Sequence, residues 1–67
     1  MRNPNRIPKY MDRLEAIWKK VPDYRLGQFM SNMMSIYYSE THRDPFFPED
    51  EDFMTVIENY FKKCEQE

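Results

Sequence analysis

Residues 44–53 read D-P-F-F-P-E-D-E-D-F, and the way this stretch is read decides how the whole chain is organised. Two prolines bracket two phenylalanines, four acids run together, and a third phenylalanine closes the stretch. A calcium loop needs acids at alternate positions, a glycine at the sixth and a distal glutamate. Here Pro48 interrupts the acids and the stretch holds no glycine. A catalytic carboxylate pair is no better supported, because adjacent helical residues diverge by about 100° and the stretch itself holds no histidine or nucleophile. The entry of a helix has a direct mechanism. Acids in a first turn face unpaired N–H groups and the positive end of the helix dipole. On that reading Pro48 fits the first helical position, and Phe46 or Phe47 packs on the core as a staple just outside. An acidic docking patch built from Asp44, Phe46, Phe47, Glu49 and Asp50 is the second reading.

Downstream, Phe53, Val56, Ile57, Tyr60, Phe61 and Cys64 repeat at three and four, which predicts a helix. Lys62 and Lys63 sit near its end, as the dipole favours. Cys64 lies on the apolar stripe and is expected to be a buried small hydrophobe.

Upstream, a segment from Asp23, a good N-cap, to about Ser39 carries apolar residues over an arc of about 200°. That is too wide for one neighbour. This helix is either central, touched by both others, or part of its face meets another chain. Gly27 falls inside the arc, where a glycine is expected to admit a close ring, with Trp18 as the candidate. Met30, Met33 and Met34 with Tyr37 and Tyr38 suit either core or an adaptable binding groove. Arg25 lies in the first turn, where the dipole disfavours a cation, so a carboxylate partner is expected from Asp44, Glu49 or Asp50. The alternative is a small polar recognition site formed by Arg25 and Gln28.

Further upstream, Ile7, Tyr10, Met11, Leu14, Ile17, Trp18 and Val21 describe a stripe of about 120° running to about Lys20. Pro8 belongs in its first turn, and Asn3 or Asn5 can cap a short preliminary turn. Val21-Pro22 ends the helix, since a proline disfavours helical geometry at the residue before it. Strand signals are absent. The sequence therefore predicts an all-α, three-helix domain spanning residues 1–67, with the second helix central and a long Pro/Phe/acid loop before the third.

Sixty-seven residues make one small domain with a marginal core. Cys64 is the only cysteine, so no disulfide staples the chain, and a lone thiol points to a reducing compartment. With His42 as the only other soft ligand, a structural zinc site is excluded and no cofactor is expected. The chain has no apolar run of the secretory type and nothing approaching the ~20 apolar residues of a membrane span, so a soluble cytoplasmic protein is expected.

Net charge is −2, distributed unevenly: residues 1–28 carry +4 and residues 29–67 carry −6. Either the two halves attract and fix which helix packs on which, or they form a basic face for phosphate and an acidic face for a basic partner. A helix-turn-helix reading of segments two and three fails, because the would-be recognition helix begins with four acids. The basic first helix, with Arg6, Lys9, Arg13, Lys19 and Lys20, could still contact phosphates non-specifically. A pI near 5.4 argues against nucleic acid.

Three stretches together carry a resemblance: R-N-P-N-R-I at residues 2–7, A-I-W-K-K-V-P-D-Y-R-L-G-Q-F at 16–29, and D-P-F-F-P-E-D at 44–50. They resemble a family of small bacterial and phage-type proteins with the pattern I-W-x3-P-D-x-R-L-G-Q and a later D-P-F-[FY]-x-E-D. The likeness covers residues 2 to about 57 and departs at Phe29 and Pro48, where an aliphatic residue is usual. It carries over no activity, cofactor or site residue. It implies that Arg25-Leu26-Gly27-Gln28 and Asp44-Pro45-Phe46 form one spatial unit, serving either the fold or a partner.

No nucleophile–base pair, phosphate loop or metal set is present, so an enzyme is not expected. The expected function is a small non-enzymatic protein-interaction or regulatory module, of a kind a phage or mobile element encodes. Its expected partner is another protein or a second copy of the chain. The alternative is a nucleic-acid-associated protein using the basic first helix. The candidate partner-binding residues are Arg25, Gln28, Tyr37, Tyr38, Asp44, Phe46, Phe47, Glu49 and Asp50.

Overall fold

The computed structural model describes residues 2–66. A short 3-10 turn, Pro4–Arg6, leads into three helices: α1 (Ile7–Lys20), α2 (Leu26–Thr41) and α3 (Asp50–Gln66). There is no strand among the described residues. The first turn is capped as the sequence suggests, with the Asn3 side-chain oxygen accepting the Asn5 N–H at 2.9 Å. Pro8 stands in the first turn of α1, where its missing N–H costs nothing. At the other end, Val21 leaves helical geometry (φ −133°, ψ 60°) immediately before Pro22.

The second helix begins later than Asp23. Trp18 Nε1 donates to the Tyr24 carbonyl at 2.9 Å, and the Tyr24 N–H donates to the Val21 carbonyl at 3.2 Å. These bonds hold residues 21–25 as a turn and take up the groups a longer helix would use. Arg25, not Asp23, is the N-cap, and its N–H is received by Gln28 Oε1 at 2.9 Å. Arg25 therefore stands at the N-cap position, just outside the first turn. At the far end His42 adopts the left-handed conformation (φ 58°), and its N–H donates to the Tyr38 carbonyl at 2.7 Å.

The core is a cluster of Ile17, Phe29, Met33, Tyr37, Met54 and Ile57. α2 supplies three of these six, and α3 is the helix whose backbone lies close to both others. Trp18 stacks on Phe29 at 5.3 Å between ring centroids, which closes the junction of α1 and α2. Tyr37 stacks on Phe53 at 5.4 Å across α2 and α3.

The segregated charges do join helices. Arg2 pairs with Glu49 at 3.1 Å and Arg6 with Asp50 at 2.8 Å. Arg13 on α1 grips Glu58 through two nitrogens, at 2.9 and 2.5 Å, and Glu51 through the third at 2.6 Å. All of these link the start of the chain to α3 or to Glu49 immediately before it.

Four local expectations are corrected. Arg25 pairs with no carboxylate of residues 44–50, because Glu49 and Asp50 belong to Arg2 and Arg6. Gly27 is exposed, and a Cβ added there would meet nothing within 4 Å, so no ring approaches it. Phe46 and Phe47 do not anchor the loop, being 84% and 77% exposed, and α3 starts at Asp50, two residues after Pro48. Cys64 is exposed beside Tyr60, whose phenol is pushed up chiefly by its hydrogen bond with the thiol.

Candidate functional site

α1 and α2 both rest on α3, and between them, beyond the Trp18–Phe29 stack, they leave an open groove of about 350 Å³. One wall is the α1 face of Ile7, Met11 and Leu14, and the other is Met30, Met33 and Met34 of α2. Phe53 and Met54 of α3 contribute to the lining, and Pro45, Phe46 and Pro48 do so from the long loop. The apolar surface continues past the groove: Met34 and Pro45 also line a shallower depression with Tyr38. Ile7, Met11, Met30, Met34 and Tyr38 are all exposed, the last at 58%.

This surface follows from the width of the apolar arc on α2. One side of the arc (Phe29, Met33, Tyr37) is consumed by the core. The other side, Leu26, Met30, Met34 and Tyr38 at a four-residue spacing, is left partly exposed, from 38% at Met30 to 59% at Leu26. An apolar side chain held in water forfeits the free energy its burial would contribute, about 1.5–3 kcal/mol for a fully buried Leu, Ile or Met. A chain this small that leaves so many large apolar groups outside has surface suited to association.

Electrostatics frame the groove rather than fill it. The Arg6–Asp50 pair stands at one end, with Arg2–Glu49 beside it. On another face of α1, the hydrogen bonds from Arg13 hold the Glu51 and Glu58 carboxyls below their ordinary range, and raise Arg13 itself. Tyr10 Oη adds a bond to Glu51 Oε2 at 3.2 Å. These charged groups satisfy one another, an arrangement that locks α1 to α3. Among the described residues no group of three His, Cys, Asp or Glu could hold a metal ion, and no helix is long and apolar enough to cross a membrane.

The residues singled out from sequence separate into two places. Asp44, Phe46, Phe47, Glu49 and Asp50 gather in the loop at one end of α2. Asp44 Oδ1 accepts the Phe46 N–H at 2.9 Å, and the two phenylalanine rings meet edge-to-face at 5.3 Å. Tyr38 belongs to this end, edge-on to His42 at 6.4 Å, whereas Tyr37 is buried in the core. Arg25 and Gln28 lie at the opposite end of α2, about 24 Å away for a 16-residue helix. The expected single unit of R-L-G-Q and D-P-F is therefore not formed within one chain. Ile7 and Met11 of the groove lie on the apolar stripe that the sequence displays for the first helix, which does not by itself mark them as exposed. The width of the α2 arc was the available signal, because a neighbour that cannot cover α2 leaves the facing edge of α1 uncovered as well.

No family model matches the chain, and neither a curated protein nor a solved structure is similar to it. The resemblance to the small I-W-x3-P-D-x-R-L-G-Q proteins rests on the residues quoted for it.

Proposed function

We propose that this chain is a small non-enzymatic protein-interaction module that receives an apolar helix along the groove between α1 and α2. The observation that carries the reading is the run of exposed Met30, Met34 and Tyr38 on α2, facing Ile7 and Met11 of α1. An amphipathic helix laid into such a groove buries its own apolar stripe and covers this one. Methionines suit the task because an unbranched thioether repacks around different contours. A nucleic-acid role has less support. Arg2, Arg6 and Arg13, among the cations of the basic N-terminal region, are engaged by carboxylates and are not directed to a phosphate backbone.

The test compares the wild type with Met11→Glu and Met34→Glu, both at exposed positions where the fold should survive. Cross-linking in the native cell, read by mass spectrometry, should recover a protein with the wild type, whether foreign or a second copy. Both variants should lose it. If the wild type and the variants cross-link alike, the groove is not a docking surface.

A further inference from the structure

We infer that the occupant is a second copy of this chain, two copies packing α2 against α2 in antiparallel fashion about a two-fold axis level with Asn32 and Met33. The inference rests on the interaction-module reading and identifies its partner. Three features of α2 carry it.

The first is the absence of charge. From Leu26 to Ser39 the helix holds no Asp, Glu, Lys or Arg, although its outer face is exposed. A solvent-facing helical surface ordinarily carries charge, whereas the centre of an interface is depleted of it.

The second is a self-complementary pattern. Gly27, Ser31, Met34 and Tyr38 follow a 4-3-4 spacing and lie within about 60° of one another around the helix, the geometry of a coiled-coil seam. A two-fold axis requires that if residue i meets j, then j meets i. In the antiparallel register centred between residues 32 and 33, Gly27 meets Tyr38 of the second copy and Ser31 meets its Met34. Every bulky side chain of the seam then lies over a small one, so the backbones approach without a clash and without a void. The open space around Gly27 is filled by the other copy's ring.

The third is area. An aromatic side chain carries roughly 150–250 Å². The exposed parts of Tyr38, Phe46 and Phe47, with those of Ile7, Met11, Leu26, Met30 and Met34, come to on the order of 650 Å². That exceeds the largest apolar patch of a typical monomer, about 300–600 Å², and approaches the ~800 Å² per partner of a stable interface. Ile7 and Met11 share the groove with Met30 and Met34, at the edge of the same apolar surface.

Sedimentation of the full chain across roughly 1–100 µM tests this. The weight-average mass should climb from 8.4 kDa toward twice that value. Ser31→Trp, which crowds the seam at an exposed position, should hold the chain monomeric while its helical circular dichroism is unchanged. Met34→Glu, which places a charge in the same seam at an exposed position, should likewise hold the chain monomeric. A wild type that stays at 8.4 kDa throughout overturns the inference. So does a dimer indifferent to both Ser31→Trp and Met34→Glu. A monomer that still loses a foreign cross-linked protein on Met34→Glu removes only this inference. A monomer that cross-links to nothing removes the module reading too.

Discussion

Gly27→Ala should raise stability, although the pattern of the sequence predicts that a larger residue there overpacks. Gly27 is the second residue of α2, has no positive φ, and an added Cβ meets nothing within 4 Å. Removing the glycine narrows the unfolded ensemble and supplies a better helix former, an effect of about 0.4–1 kcal/mol. The lower part of that range is expected, because the position is in the first turn, where fewer backbone bonds depend on it. For a domain of this size about 0.5 kcal/mol shifts the midpoint by roughly 2–4 °C. Thermal melting followed by circular dichroism at about 5 µM, where association is weak, reads it directly. Gly27→Leu should also melt no lower than the wild type in that dilute regime. A midpoint lowered by more than about 2 °C in the dilute alanine variant would show that the space around Gly27 is needed by this chain itself, and the account of an open face would be wrong.

Ile57 is fully buried, so Ile57→Ala should cost about 2–5 kcal/mol. A core of this size supplies only about 3–5 kcal/mol. Loss of most helical signal at 25 °C is expected, with Ile57→Val losing about 1 kcal/mol, and a cooperative wild-type-like melt of the alanine variant would refute the core assignment. The Glu51 and Glu58 carboxyls are depressed in the folded state, so their stabilisation is present above the ordinary value of 4.5 and is lost as pH falls through the folded value. Urea titrations should show stability falling below about pH 4.5. Glu58→Gln should lower stability by about 1 kcal/mol at pH 7 and flatten that fall. An unchanged acid slope would mean the Arg13 clamp contributes nothing. Phe46→Ser should leave the dilute melting curve within about 0.5 kcal/mol of wild type, since its ring is almost wholly exposed; a larger loss would show that the loop does anchor the fold.

The helices and their inward faces were legible because three-and-four periodicity is a local property of the chain. Ile17, Phe29, Met33 and Ile57 lie on stripes that any wheel displays. The basic N-terminal and acidic C-terminal portions also foretold which segments pair, through Arg2, Arg6 and Arg13. What the sequence hid depends on competition between partners. Asp23 is a good cap on its own, but the Trp18 indole takes the Tyr24 carbonyl and delays the helix. Arg25 needs a carboxylate by local logic, yet Arg2 and Arg6 reach those acids from the other end of the chain. Phe46 and Phe47 look like anchors because aromatic rings bury large apolar areas, and only the placement of α3 shows that they stay 84% and 77% exposed. The wide arc of α2 allowed a central helix or an outward-facing one, and periodicity has no means to separate the two.

The order of the helices along the chain has a consequence for how the protein is made. α3 follows the other two helices along the chain, and it supplies Met54 and Ile57 of the core as well as the acids that hold Arg6 and Arg13. Until it leaves the ribosome, α2 is greasy on both sides, with Phe29, Met33 and Tyr37 as bare as Met30 and Met34. The nascent chain thus passes through a stage at which it is at greatest risk of sticking to others, and chaperone demand should peak just before residue 50 emerges.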